Sequence, residues 1–119
     1  MTATSNNGPA TAFTPSNAQE LKWLGHMADD GAATFGPDPM ASLTATADTL
    51  VLAGSRGTFR VPRTAVVKVG RGGMYPWFFS GVRIHHNLAS YPRDLQFKPM
   101  DAKLRDILSQ LGRLGYPAR

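Results

Sequence analysis

Residues 101–117 read DAKLRDILSQLGRLGYP, and this stretch carries the clearest structural signal in the chain. Asp101 stands where an N-cap residue is expected, and Gly115 and Pro117 end the pattern. The apolar residues between them recur at the spacing of one helical face: Leu104, Ile107, Leu108, Leu111 and Leu114. The stretch therefore predicts an amphipathic helix over residues 102–114, which must bury its leucine stripe against another element.

The residues before this helix carry the short alternating runs and the Gly- or Pro-containing turns of β-strands. Their spacing is typical of sandwiches and small barrels. Seven short strands are predicted, over residues 43–46, 49–53, 58–61, 65–69, 77–79, 82–86 and 95–97. The predicted fold class is mainly β with α (α+β), a small antiparallel barrel or curled sheet capped by the C-terminal helix.

The chain before these strands is predicted to hold two segments outside a domain that spans residues 42–119. Residues 1–14 are mostly Ser, Thr, Asn, Gly, Pro and Ala, a composition that predicts a disordered tail. Residues 15–41 are predicted to form a short N-terminal helix and a linker.

The N-terminal helix is predicted over residues 17–28. Ser16 and Gln19 stand at the spacing of a capping box. The residues expected to pack on the domain or on a second subunit are Leu21, Leu24 and Met27. An isolated helix of this length is marginal in water, so it needs such a contact.

Composition limits the class of protein. The 119 residues are near the size of a single domain, and without cysteine the chain has no disulfide framework and no Cys-ligated metal. We expect no secretory signal, because the N-terminus lacks both basic residues and an apolar run. No apolar run approaches the roughly 20 residues of a membrane-spanning helix. The sequence thus predicts a soluble protein of the cytoplasm.

The net charge of +5 is unevenly distributed. Up to Leu50 there are five acidic residues and one basic residue, whereas the rest of the chain holds twelve basic and three acidic residues. A basic half attracts phosphates, nucleic acid or anionic lipid headgroups, but the acidic half of the chain can also neutralise it. The candidate anion-binding residues, all near the middle strands, are Arg56, Arg60, Arg63, Lys68, Arg71 and Arg83.

Residues 70–80 read GRGGMYPWFFS, a glycine-rich loop that leads into aromatic residues. Successive side chains of a strand point to opposite faces, so three consecutive aromatic residues cannot all face one core. This stretch is a candidate contact surface for a protein partner, a second copy, a bilayer interface or a ligand, unless it packs on the N-terminal helix. The candidate interaction residues are Met74, Tyr75, Trp77, Phe78 and Phe79.

No catalytic motif or metal-ligand spacing is present. His85 and His86 are adjacent in a predicted strand, so their rings point to opposite faces and do not easily share a metal. If Val82 and Ile84 face the core, His86 faces inward and His85 lies outside with Arg83. We expect structural histidines, no metal, no cofactor and no enzymatic activity.

Three segments together resemble the bacterial branch of the pleckstrin-homology-like (PH-like) superfold. They are GVRIHH at residues 81–86, YPRDLQF at residues 91–97 and LGYP at residues 114–117, at either side of the predicted helix. The resemblance covers residues 42–117 and implies a small barrel closed by a C-terminal helix. It does not imply phosphoinositide binding, because the first hairpin turn, at Ala47 and Asp48, lacks the basic residues of lipid-binding members.

The function expected from the sequence is a non-catalytic binding or interaction module, whose partner is a protein or a second copy. The alternative is a peripheral anion binder for an anionic membrane surface or nucleic acid, through the basic residues, and a distant third is an uncharacterised enzyme. Salt separates the two, because phosphate contacts weaken steeply with ionic strength whereas an apolar contact weakens little.

Overall fold

In a computed structural model of the chain, which describes residues 20–29, 32–34, 36–72 and 81–118, seven strands form one antiparallel sheet. The strands are β1 Leu21–Ala28, β2 Ala41–Ala45, β3 Thr49–Gly54, β4 Gly57–Pro62, β5 Val66–Arg71, β6 Val82–His86 and β7 Leu95–Pro99. A 3-10 turn, Arg63–Ala65, joins β4 to β5, and the helix α1, Leu104–Leu114, follows β7. The prediction of a mainly β fold, a curled antiparallel sheet with a C-terminal helix, is confirmed.

Strand β1 joins the two parts of the sheet, whose strand order is β4-β3-β2-β1-β7-β6-β5. Residues 21–25 of β1 pair with β2, and residues 25–28 pair with β7. Gly25 belongs to both pairings, and a glycine inside a strand allows the tight bend found at barrel corners. The sheet therefore curls at β1 into a half-barrel.

The predicted N-terminal helix is wrong where the structure describes it. Residues 21–28 form strand β1 in the middle of the sheet, so this part of segment 15–41 belongs to the domain. Residues 17–19 and the predicted tail lie outside the described residues. The alternating positions Trp23 and Met27 face the core, whereas Leu24, expected to be packed, is 41% exposed. Pairing on both sides satisfies the backbone of β1 without a helix.

The core lies on the concave side of the sheet, where alternate residues of each strand are buried. In β6 and β7 these residues are Val82, Ile84, Leu95 and Phe97, all fully buried. Cross-strand pairs share a face, so the residues between them lie on the convex side, which we call the outer face.

Helix α1 closes the core with its leucine stripe, as predicted. Ile107 and Leu111 are fully buried, Leu104 and Leu108 are buried, and Leu114 is half-buried. The predicted N-cap is wrong, because Lys103 occupies that position and the carboxylate of Asp101 instead accepts the backbone N–H of Leu24, at 3.2 and 3.3 Å.

The C-terminal end of α1 forms as predicted, and the chain after it returns to the sheet. Gly115 takes the left-handed conformation, with φ of 103°. Tyr116 is buried, and its hydroxyl donates to the Thr46 carbonyl at 2.7 Å; burial raises its pKa to about 12. The backbone N–H of Val69 in β5 donates to the Pro117 carbonyl at 2.9 Å.

The remaining strand predictions match β2 to β7 with one exception. Six of the predicted strands end within two residues of the observed ends. The seventh, over residues 77–79, lies outside the described residues.

Candidate functional site

The six candidate anion-binding residues do not form one surface. Arg60 lies on the outer face of β4 and Lys68 on β5, and these strands are at opposite ends of the sheet order. Arg63 lies in the 3-10 turn, with its guanidinium beside Gly115. Arg71 ends β5 near α1. The strand order therefore places residues that are close in sequence on different parts of the sheet.

Arg56 and Arg83 are held by carboxylates of the described residues. Arg56 binds Asp29 through two guanidinium nitrogens, with distances of 3.0 to 3.1 Å to its two oxygens. Arg83 forms an ion pair with Asp94, in the segment between β6 and β7. For Arg56 this is the neutralisation by the acidic half of the chain that was considered from the sequence, whereas Asp94, the partner of Arg83, lies in the basic half.

Arg83, Lys68 and His85 do come together, on the outer face of β5 and β6. Lys68 pairs with His85 across the two strands, and Arg83 lies two residues before His85 on the same face. Burial lowers the pKa of His85 below its usual 6.5, and repulsion from Arg83 and Lys68 lowers it further, although Asp94 opposes this. The neutral imidazole is thus favoured.

We expect an NMR titration to place the pKa of His85 below 6.5 and Lys68→Gln to raise it, because one repelling charge is removed. The unfolded chain binds this proton more readily than the folded chain does. Stability from His85 is therefore fully present above about pH 6.5 and is lost as the pH falls through the interval below it. Lys22→Gln on strand β1 is the control, and an unchanged or lower pKa in Lys68→Gln would contradict the assignment.

His86, on the opposite face of β6, braces the segment that leads to β7. Its Nδ1 accepts the backbone N–H of Leu88 at 3.0 Å, and its Nε2 donates to the Pro92 carbonyl at 2.8 Å. Both ring nitrogens are occupied, so the neutral ring has no nitrogen left for a metal or a substrate. The prediction of a structural histidine that faces inward is confirmed for His86.

Tyr91, held by this segment, bridges to the edge of the sheet at β4. Its ring lies edge-on to Phe59, with centroids 5.3 Å apart, and its hydroxyl accepts the backbone N–H of Arg60 at 3.3 Å. A depression of about 460 Å³ opens here, lined by His86, Asn87, Leu88, Ala89, Tyr91 and Arg93. The contacts of Tyr91 thus join the segment between β6 and β7 to β4, at the other end of the sheet.

His26 is also structural. It is buried on the outer face of β1, where the segment after the strand folds back. Its Nε2 donates to the Gly36 carbonyl at 3.0 Å, and its Nδ1 accepts from the Thr34 hydroxyl at 3.0 Å. That hydroxyl also accepts the backbone N–H of Met27 at 3.1 Å, so the three groups form one satisfied network.

Large apolar side chains are exposed together on the outer face, where β2, β1 and β7 meet. Leu24 is 41% exposed, Met40 45% and Met100 43%. The Met100 N–H donates to the Leu24 carbonyl and continues the pairing of β7 with β1. The Met40 N–H donates to the Gly25 carbonyl, one residue out of the register of β1 with β2, and so holds Met40 beside β1. We call these three residues the outer apolar patch.

The register explains why the patch is contiguous. Gly25 pairs with Pro99 in antiparallel strands, so the next residues along the two chains, Leu24 and Met100, lie opposite each other. Ser42 is the partner of Leu24 on the β2 side, and Met40 comes two residues before Ser42, which is the spacing of a diagonal neighbour within reach of a long side chain. The sequence analysis missed this patch because its members belong to three segments, and no single run of residues signals it.

The predicted interaction residues, Met74, Tyr75, Trp77, Phe78 and Phe79, lie outside the described residues. Among the residues that are described, no group of three or more His, Asp or Glu side chains is placed to hold a metal ion. In the same part of the chain, no helix has the length and apolar character needed to cross a bilayer. No model of a known protein family matches the chain, and no curated protein is significantly similar to it.

Proposed function

We propose that this protein is a non-catalytic interaction module and that its partner is a second copy of the chain. The observation that carries the proposal is the outer apolar patch. Among the described residues four large apolar side chains are exposed. Three of them, Leu24, Met40 and Met100, lie near one another, because the backbones of both methionines bond to residues 24 and 25 of β1.

The outer face of an antiparallel sheet is normally polar where it meets water. Single exposed apolar residues are common on protein surfaces and have no special meaning, whereas adjacent ones are typical of contact sites. Two of the three residues are methionines, whose flexible side chains adapt to the opposing surface. The patch thus has the chemistry of a small protein-binding surface.

The charges around the patch favour a second copy as the partner. A two-fold interface brings the same surface of both copies together, so that surface must be complementary to itself. Lys22 and Lys98 lie on the outer face on either side of Leu24 and Met100, and Asp101 follows Met100 directly. A rim with charges of both signs can pair with its own copy.

We also propose that the domain belongs to the PH-like superfold. Support comes from the order of the strands, in which β1 joins strands β2 to β4 to strands β5 to β7, and from the helix that follows β7. A shared fold alone does not assign a function, so the patch remains the basis of the functional proposal.

The test is sedimentation velocity of the full chain over a range of protein concentrations. The patch is smaller than the roughly 800 Å² that each partner buries in a stable complex, so a weak dimer is expected, with a dissociation constant of roughly 10⁻⁴ M. Met100→Lys should weaken it by at least about tenfold, because each copy then places a new charge in the interface. Added salt should change the wild-type dimer little, because the contact is apolar and salt screens both the attraction between rim charges and the repulsion between two chains of charge +5 each.

Val67→Lys is the matched control. Val67 is the fourth large apolar residue of the described chain that is exposed, at 59%, and it lies on β5, far along the sheet from β1. The Val67→Lys variant should dimerise as strongly as the wild type. A wild-type chain that stays monomeric at about 1 mM, well above the expected dissociation constant, would refute the proposal. Equal weakening by both variants would refute the patch as the site.

A further inference from the structure

We infer that the depression between the end of β5 and the helix α1 is a binding site for a phosphate group, held by Arg71, Arg105 and Ser109. This inference goes beyond the proposed self-association and rests on a different part of the surface. The depression has a volume of about 380 Å³, and Leu108 and Ala118 complete its lining.

The fold brings the three polar residues together from two elements. Arg71 is the last residue of β5, and its pairing with Val82 places it on the concave side of the sheet, where α1 packs. Arg105 and Ser109 are four residues apart on α1, so they lie on the same face of the helix, one turn apart. Both elements are held by the core, which fixes the relative positions of the backbones that carry the two arginines.

The apolar floor of the site is also fixed. Leu108 belongs to the leucine stripe that packs into the core. Ala118 follows Pro117, whose carbonyl accepts the backbone N–H of Val69, and it forms a parallel bridge with that residue of β5. The site is therefore preorganised by the same contacts that seat the C-terminal residues on the sheet.

The charge in the depression favours an anion. Two guanidinium groups line one small volume, and none of its described lining residues is acidic. The charge of Arg105 attracts an anion into this volume, and Arg71 brings a second guanidinium group to the same depression. A guanidinium group binds phosphate oxygens in a bidentate manner, and the hydroxyl of Ser109 can donate a further hydrogen bond.

Arg105 differs from two of the candidate anion-binding arginines in its ion pairing. Arg56 binds Asp29 and Arg83 binds Asp94, whereas Arg105 makes no ion pair with a carboxylate of the described residues. It is exposed on the first turn of α1, beside the depression. The guanidinium group of Arg105 is therefore not committed to a carboxylate of the described residues and can contact a phosphate oxygen.

The test is a titration of the full chain with inorganic phosphate, followed through the arginine Nε–H signals in NMR spectra. We expect saturable shifts of the Arg71 and Arg105 signals, and we expect Arg105→Gln to weaken binding by about tenfold because one charge-assisted bidentate contact is lost. Ser109→Ala should weaken binding less, since it removes one neutral donor. Arg113→Gln, on the last turn of the same helix, is the matched control and should have no effect.

Two further arms identify the source of the phosphate. Vesicles of phosphatidylcholine with roughly one-fifth phosphatidic acid test a lipid headgroup against vesicles of phosphatidylcholine alone. Binding to the acidic vesicles that Arg105→Gln abolishes supports the site with a membrane source. Binding of inorganic phosphate without vesicle binding supports it with a soluble phosphorylated ligand.

Other results would overturn the inference. Shifts that do not saturate, or that Arg113→Gln reduces as much as Arg105→Gln does, would show attraction to net charge and no site. If the Arg105→Gln variant still binds the acidic vesicles, that binding is also an attraction to net charge and not to the proposed site. Met100→Lys should leave phosphate binding intact, so failure of this inference is distinguishable from failure of the proposed dimer.

Discussion

Replacement of Gly25 by alanine is expected to destabilise the domain by about 3 kcal/mol or more, the upper end of the cost of overpacking. A Cβ at this position would overlap the carbonyl oxygen of Lys98 and would lie 2.9 Å from its carbonyl carbon and 3.1 Å from the Cα of Pro99. These are backbone atoms of β7, which is paired on both sides and cannot turn away as a side chain can. The clash would therefore separate β1 from β7, at the bend where the two parts of the sheet meet.

Urea denaturation measures this effect, with Gly112→Ala as the control. Gly112 lies in α1 with open space around its Cα, and alanine is the better helix former, so this variant should gain about 0.5–1 kcal/mol. A Gly25→Ala variant as stable as the wild type would mean that the sheet is not bent at β1 as described.

Replacement of Leu111 by alanine is expected to cost about 2–5 kcal/mol in the free energy of unfolding, because it leaves a cavity between the helix and the sheet. Leu111 is fully buried at the centre of the leucine stripe, and the Tyr116 N–H donates to its carbonyl at 3.0 Å where the chain turns back to the sheet. Typical domains are stable by about 5–15 kcal/mol, so the loss would be a large fraction of the total.

Arg113→Ala is the control for Leu111→Ala, because Arg113 is exposed on the same helix and should change stability by less than about 0.5 kcal/mol. Thermal and urea denaturation of both variants give the comparison. Equal stability of the two variants would contradict the packing of α1 on the sheet.

The helix could be predicted from the sequence because its signal is local. The spacing from Leu104 to Leu114 fits one helical face, and the structure buries that face. Its N-terminus could not be predicted in the same way, since Asp101 has a stronger use as the acceptor for the N–H of Leu24, 77 residues away. A capping residue can be identified only when no distant partner competes for it.

Strand β1 shows the opposite case, in which local spacing was misleading. Leu21, Leu24 and Ala28 fit a helical face, but the alternation of Trp23 and Met27 fits a strand equally well. Gly25 between them breaks the alternating pattern, because a position without a side chain carries no hydrophobic signal. Pairing with β2 and β7 decided the outcome, and those partners come later in the chain.

The candidate sites were even less accessible from the sequence. The basic residues could be counted, but which of them meet an acid depends on contacts such as Arg56 to Asp29, 27 residues apart. The outer apolar patch combines residues from three segments, and the phosphate site pairs the end of β5 with the first turn of α1. Neither arrangement leaves a motif in any single stretch.

The sequence by itself determined the elements whose pattern is local: the leucine-striped helix, its glycine stop, the strands β2 to β7 and the mainly β class. The tertiary structure alone decided that residues 21–28 form the central strand, that Arg56 and Arg83 are neutralised by Asp29 and Asp94, and which apolar and basic residues meet at the surface. The physical reason is the distance along the sequence between the residues that interact. Periodicity reports the average environment of one segment, whereas strand register, ion pairing and surface composition depend on which distant segments the curled sheet brings together.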